Sequence, residues 1–388
     1  MMKYNFDEPV NRRGTDSVKW DLDKEGVLPM WVADMDFKTA PAVTAALVKR
    51  AEHGVFGYTH PSASYYTALS GWFKRRHNWS ILPGWVLYTT GVVPALSAVI
   101  KAFCRPGEKV LVQTPVYNCF FSSIKNNGCE TVSSPLVYDG GSYRMDFTDF
   151  EQKAADPAVK LFLLCNPHNP AGRVWTEAEL RRIGEICLKH DILVVADEIH
   201  CELTAPGIAY TPFASLSPDF LNRSVTCISP SKAFNLAGLQ TANIVAADKD
   251  LRAQIDRALN INEVCSIGPF GAEGLIAAYN EGGEWLDELN VYLHENFSFL
   301  CEFCARHLPQ LRVTPLEGTY LAWINCKALG RTSEELAKEL LQKGRVRVNA
   351  GSLYGAEGEG FIRLNLACPR AQLAEALNRM KTVFDALL

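Results

Sequence analysis

The 388-residue chain has no basic excess: 39 Lys and Arg face 43 Asp and Glu, for a formal net charge of −4. A nucleic-acid footprint needs a basic patch or stripe, so that class of partner is not expected. No long block of like charge occurs either, which argues against an interaction tail. Long hydrophobic runs are also missing. The longest aliphatic stretches, LFLLC (161–165) and ILVVA (192–196), fall far short of the roughly 20 residues a membrane helix needs. They suit buried strands. The opening MMKYNFDEPVNRRGTD has no apolar h-region, so no secretory signal is expected there. The 12 cysteines are scattered through apolar or helical stretches and read as reduced core thiols, which implies a cytoplasmic setting. The CxxC pair, Cys301 and Cys304, sits in a helical pattern with no second pair beside it. Neither a redox role nor a metal is expected of it.

What is present is alternation. Apolar strands are expected at KVLVQTP (109–115), VKLFLLCNP (159–167), ILVVADEI (192–199), SVTCISP (224–230) and TANIVAA (241–247). Between several of them lie helical patterns such as TEAELRRIGEICLKH (176–190), where Thr176 and Glu179 have capping-box spacing. This order predicts an α/β fold with a mostly parallel sheet covered by helices on both faces. The last hundred residues change character: a long helix (roughly 284–308), a strand, a helix (333–343), strands and a final helix (371–386) suggest a smaller α+β domain. The first forty residues are turn-rich and aromatic and read as an arm. The large domain is expected over 40–283, with 1–39 and 284–388 forming the arm and the small domain.

In an open α/β sheet, ligands sit beyond the carboxyl ends of the strands. The residues there are Tyr117, the run NPHNPAG (166–172) with Asn169, Asp197, and SPSK (229–232). Lys232 is either a loop lysine before a helix or a catalytic amine able to form a Schiff base. Asp197 follows five apolar residues and needs a partner, either a salt bridge or a protonated ring nitrogen. The run DEIH (197–200) also resembles a helicase box, but the chain has no Gly-Lys dipeptide and so no phosphate loop to serve one. The segment TTGVVPALSAVIKAF (89–103) places a glycine turn before a helix, whose free amides can bind phosphate with help from Ser229 and Ser231. Arg363, in GFIRLNLA, is either a bidentate carboxylate ligand or an exposed strand arginine.

These pieces, in this order, resemble the fold-type I pyridoxal-phosphate enzymes, the aspartate aminotransferase superfamily of class I/II. The resemblance runs from WVADMDF (31–37) to FIRLNLACP (361–369). Within the superfamily the chain is similar to MalY/PatB-type cystathionine β-lyases, or cysteine C–S lyases, through PMWVADMDF, GVFGYTHP, TTGVVPAL, NPHNPAGRVW, ADEIHCEL and SPSKAFNLAGLQ. The resemblance implies the transferase fold: a seven-stranded type of sheet sandwiched by helices, plus a smaller α+β domain. It implies that Lys232 holds pyridoxal 5'-phosphate and, once freed by substrate, moves the Cα proton. Asp197 would face the pyridine nitrogen, Asn169 and His200 the phenolic oxygen, and Tyr117 the ring face. Gly91, Val92, Ser229 and Ser231 would cradle the phosphate, Tyr58 would reach in from the partner of a homodimer, and Arg363 would grip the substrate carboxylate.

Two positions depart from many aminotransferases: His200 replaces a tyrosine three residues beyond the aspartate, and Gln240 an arginine eight residues beyond the lysine. Both suit the lyase subgroup. The expected reaction is α,β-elimination of L-cystathionine and related cysteine S-conjugates to a thiol, pyruvate and ammonia. The alternatives are an aminotransferase for an aromatic amino acid or histidinol phosphate, and a regulator acting through protein contact.

Overall fold

The structure, a computed structural model, describes residues 3–263 and 266–387. Its largest sheet has seven strands: β1 (Val86–Thr89), β2 (Lys109–Val112), β3 (Glu130–Ser133), β4 (Val159–Cys165), β5 (Leu193–Asp197), β6 (Ser224–Ile228) and β7 (Ala242–Val245). Their spatial order is β1-β7-β6-β5-β4-β2-β3. The neighbours from β6 through β3 pair in parallel, while β7 runs antiparallel to both β6 and β1. Two reversals restore the direction, so β1 points the same way as the parallel strands and its end, Thr89, shares their carboxyl edge. All five expected strands form. The β1 and β3 strands were not foreseen, because neither carries an apolar run: ETVS is exposed or half-buried throughout and VLYT is buried only at its ends.

The strands bury both faces, as near-continuous apolar runs require. Val110, Val112, Leu161, Leu163, Val195 and Val225 pack under the helices Val92–Phe103 and Lys249–Asn260. Their chain neighbours Leu111, Phe162, Leu164, Val194 and Ala196 pack on the opposite side, with Leu180 and Ile183 of the helix Glu177–Lys189. That switch at every residue is the two-residue period of a strand. The helix Glu177–Lys189 begins at the expected capping box, with the Glu179 amide donating to Thr176 Oγ1 over 3.2 Å and the Glu179 carboxylate accepting from the Thr176 amide.

Near the carboxyl end of the chain, a four-stranded antiparallel sheet contains Leu321–Asn325 and Phe361–Asn365 side by side. It packs with the helices Gly283–His307, Ser333–Gln342 and Arg370–Asp385 around a separate core. The first forty residues bridge the two sheets. Leu28–Pro29 pairs in parallel with Val346–Arg347, and the Met35 amide donates to Asn235 Oδ1 beside the large sheet. Cys304 is buried in the helix Gly283–His307. All described cysteines are free and all but Cys119 and Cys301 are buried; Cys265 lies outside the described residues. No described helix is long and apolar enough to cross a membrane.

Candidate active site

The carboxyl edge of the large sheet opens into a cavity of about 190 Å³, lined by Lys232, Asp197, His200, Asn169, Tyr117, Gly91, Val92 and Ser231. These residues arrive from five strand ends. The β5 strand stops on Asp197 and the following turn carries His200; β6 runs out into Ser229–Lys232; β4 runs out into the Asn166–Gly172 turn. The turn after β1 places Gly91 as the N-cap of the helix Val92–Phe103, and no side chain caps that helix. Its first amides therefore face the cavity end unsatisfied, which favours an anion there.

Electrostatics in the cavity pull its two central groups toward neutrality. Burial, reinforced by the Arg363 guanidinium, pushes the Lys232 ammonium down to about 8. Burial pushes the Asp197 carboxyl up to about 7, opposed by the hydrogen bond from the Ile199 amide (3.2 Å) and by the Lys232 charge. A buried carboxyl of this kind regains its charge when a cation faces it. His200 is held well below the ordinary histidine value by burial and then by the Lys232 and Arg363 charges. It is a neutral ring, and its buried Nδ1 has no hydrogen-bond partner. The Tyr117 phenol stays protonated through burial and caps the cavity side from the start of the helix Asn118–Asn126.

Three expected residues stand apart from the cavity lining. Ser229 is buried beneath the rim, where its hydroxyl donates to the Thr241 carbonyl (2.7 Å) and meets Ser231 Oγ at 2.8 Å. It shapes the turn that presents Ser231. Arg363 is buried, so the exposed-arginine reading fails. Its Nη1 donates to Asn169 Oδ1 (3.0 Å) and its Nη2 to the Trp31 carbonyl (2.9 Å), while Nε has no partner. Tyr58 is fully exposed and does not approach the cavity of its own chain. Gln240 is exposed in a left-handed turn and does not line the cavity.

Other lining residues were not foreseen. Thr90, Thr241 and Ala33 contribute small side chains. Ala33 brings a backbone carbonyl that accepts from Lys232 Nζ at 2.6 Å and from the Tyr320 hydroxyl at 2.8 Å. Its place in WVADMDF was a usable signal; the link to Tyr320, 287 residues away, was not.

The residues fit a phosphorylated aromatic cofactor that bonds to lysine. The uncapped helix end suits a phosphate, the raised Asp197 suits a protonated ring nitrogen, the orphaned His200 Nδ1 lacks a partner such a group would bring, and the Lys232 amine lines the same cavity. The whole chain bears comparison with known proteins. Residues 26–380 match the model of the aminotransferase class I and II family. The chain is 45% identical over 386 residues to cystathionine beta-lyase PatB of Bacillus subtilis, covering 98% of this chain and 100% of that one. It superposes on cystalysin of Treponema denticola, which contains a pyridoxal 5'-phosphate cofactor, with a TM-score of 0.97, 34% identity and 100% coverage of both chains. The PLP-bound C–S lyase of Staphylococcus hominis gives a TM-score of 0.92 at 33% identity, over 98% of this chain and 99% of the other.

Proposed function

Because the chain belongs to the aminotransferase class I and II family, we propose that it is a pyridoxal-phosphate-dependent carbon–sulfur β-lyase. Its substrates would be L-cystathionine and related cysteine thioethers. The observation that carries this reading is the pairing of Lys232 and Asp197 on one cavity at the strand ends, in a chain 45% identical to a cystathionine beta-lyase along its whole length. His200 and Gln240 favour elimination over transamination. The cofactor is pyridoxal 5'-phosphate, held by Lys232, with Gly91, Val92 and Ser231 at its phosphate and Ser229 supporting that turn. Asp197 would face its ring nitrogen, Asn169 and His200 its phenolic oxygen, and Tyr117 its face.

When bound, the cofactor supplies an electron sink that acidifies the substrate Cα–H and lets the Cβ substituent depart. The protein does the rest. Arg363, whose Nη1 donates to the cavity-lining Asn169, binds the substrate carboxylate. The Lys232 amine, which burial makes a weak enough cation to lose its proton near neutral pH, takes the Cα proton at Nζ. The Cβ–S bond breaks with its electron pair on sulfur, and the thiol product leaves after gaining a proton. The released enamine tautomerises and hydrolyses to pyruvate and ammonia.

The active unit is proposed to be a cytoplasmic homodimer. Tyr58 and its exposed neighbours Val55 and Phe56 support a contact through which Tyr58 enters the partner's cavity. The division into a large domain (40–283) and an arm plus small domain (1–39 and 284–388) is part of the same proposal. The test is to supply L-cystathionine with no oxo acid and follow pyruvate. Stoichiometric pyruvate supports the lyase; turnover only with an added oxo acid and without pyruvate replaces it with an aminotransferase.

A further inference from the structure

The irregular segment 31–37, whose Ala33 lines the cavity, is held mainly by side chains reaching its backbone. Asn365 Nδ2 donates to the Val32 and Asp34 carbonyls, and Asn235 Nδ2 to the Met35 and Phe37 carbonyls. Like the Asp34 and Met35 carbonyls, which Lys19 and Arg12 also reach, the Ala33 carbonyl carries two donors, Lys232 Nζ at 2.6 Å and the Tyr320 hydroxyl at 2.8 Å, which fills both of its lone pairs. One of these donors must leave during the reaction and the other need not move. Lys232 bonds to the cofactor, is released by substrate, and then handles a proton. Tyr320 is fully buried, and its neighbours are fixed: the Leu366 amide donates to its carbonyl, and the Thr319 amide donates to the Leu203 carbonyl. Its ring meets His200 edge-on, with centroids 6.0 Å apart.

A freed amine in a dry cavity needs an acceptor for one N–H, or its lone pair has no set direction. The Ala33 carbonyl is where the free amine rests in this structure. If that peptide plane could rotate while Lys232 is engaged elsewhere, the amine would return to a displaced acceptor. A misplacement of about 1 Å in such a group costs on the order of a hundredfold in rate. Building on the proposed function, we infer that Tyr320 is a positioning residue for proton transfer: its hydroxyl fixes the Ala33 carbonyl, and that carbonyl aims the freed Lys232 amine at the substrate Cα.

The test is Tyr320→Phe in the cofactor-loaded protein, which removes the hydroxyl and keeps the ring against His200. Exchange of the substrate Cα hydrogen with deuterated solvent should slow about five- to tenfold, the worth of one directed hydrogen bond. KM should change less than twofold, the isotope effect for Cα-deuterated substrate should rise, and amide exchange across residues 32–36 should speed up. Tyr143→Phe, which deletes a buried hydroxyl that accepts from Trp323 Nε1 and does not line the cavity, should change none of these. If Tyr320→Phe does not fold, meta-fluorotyrosine at position 320 substitutes, since a stronger donor should slow amide exchange across the same residues. Unchanged Cα exchange, isotope effect and amide exchange in the phenylalanine variant, or unchanged amide exchange in the fluorinated one, would overturn the inference. Elimination and transamination both begin by removing the Cα proton, so these readouts judge Tyr320 even where pyruvate assays reject the lyase.

Discussion

The floor and the cover of the cavity are built on different physical principles. The floor is the carboxyl edge of the large sheet, where Asp197 ends a strand buried at every residue and Lys232 follows another. Packing of apolar side chains on both faces fixes it, and no single polar contact decides its shape. The cover, residues 31–37, is held by hydrogen bonds to its backbone from both sides: from Lys232 and Asn235 beside the large sheet, and from Asn365, Arg363 and Tyr320 of the four-stranded sheet and its approach. Two of those donors, Lys232 and Arg363, are the groups that cofactor and substrate would claim. A rigid floor therefore preserves the chemistry, while the cover is the part that senses what occupies the site.

The largest effect should come from the floor. Lys232→Ala should abolish pyruvate release and the visible absorbance of the lysine-bound cofactor; turnover surviving in that variant would remove Lys232 from the mechanism. Asp197→Asn should follow, lowering kcat roughly a hundred- to thousandfold, the range seen when one preorganised electrostatic partner is lost. Steady-state kinetics on the loaded variant would check it, and KM should move much less than kcat.

Next come two substitutions that separate packing from tethering. Leu163→Ala empties space at a buried position of the β4 strand and should cost about 2–5 kcal/mol in urea unfolding. Asn365→Ala removes the donors to the Val32 and Asp34 carbonyls and the acceptor for the Ala367 amide. It should cost about 1–3 kcal/mol, less than Leu163→Ala, yet raise amide exchange in the cover more. A floor variant that loosened the cover more than Asn365→Ala would erase the distinction between the two regions.

The floor was legible in the sequence from its residue pattern, whereas the cover showed only as the motif WVADMDF and its contacts did not. Strands buried on both faces must be written as apolar runs, so LFLLC and ILVVA announced themselves, and with them the polar residues that end them. The β1 and β3 strands escaped because a short, partly exposed strand imposes no such run. Arg363 read as ambiguous because its burial comes from elements far off in the chain, Trp31 and Asn169. Tyr320 left no local pattern at all: a hydroxyl on a backbone carbonyl 287 residues away has no periodicity to detect.

The smallest effect lies in the pH dependence of the cofactor-free protein, and it returns to the floor. The Asp197 carboxyl is raised from its ordinary 3.8 to about 7, first of all by burial. Between those values the folded chain keeps a proton that the unfolded chain has released. Stability contributed by that proton is full below the unfolded value and falls as pH rises through the interval. The Lys232 ammonium, lowered from 10.5 to about 8, acts in the next interval: there the unfolded chain binds the extra proton, so stability recovers as pH rises from about 8 to 10.5. Urea midpoints of the cofactor-free protein should accordingly dip near pH 7 to 8. Asp197→Asn should lessen the acid side of the dip, with the neighbouring Glu198, which burial raises to about 8, supplying the rest, and leave the alkaline side; a dip unaltered by that substitution would place the titrating group elsewhere. Loading the cofactor should lessen the acid side in the same way, because a protonated ring nitrogen facing Asp197 restores its charge and removes the reason for it to hold a proton.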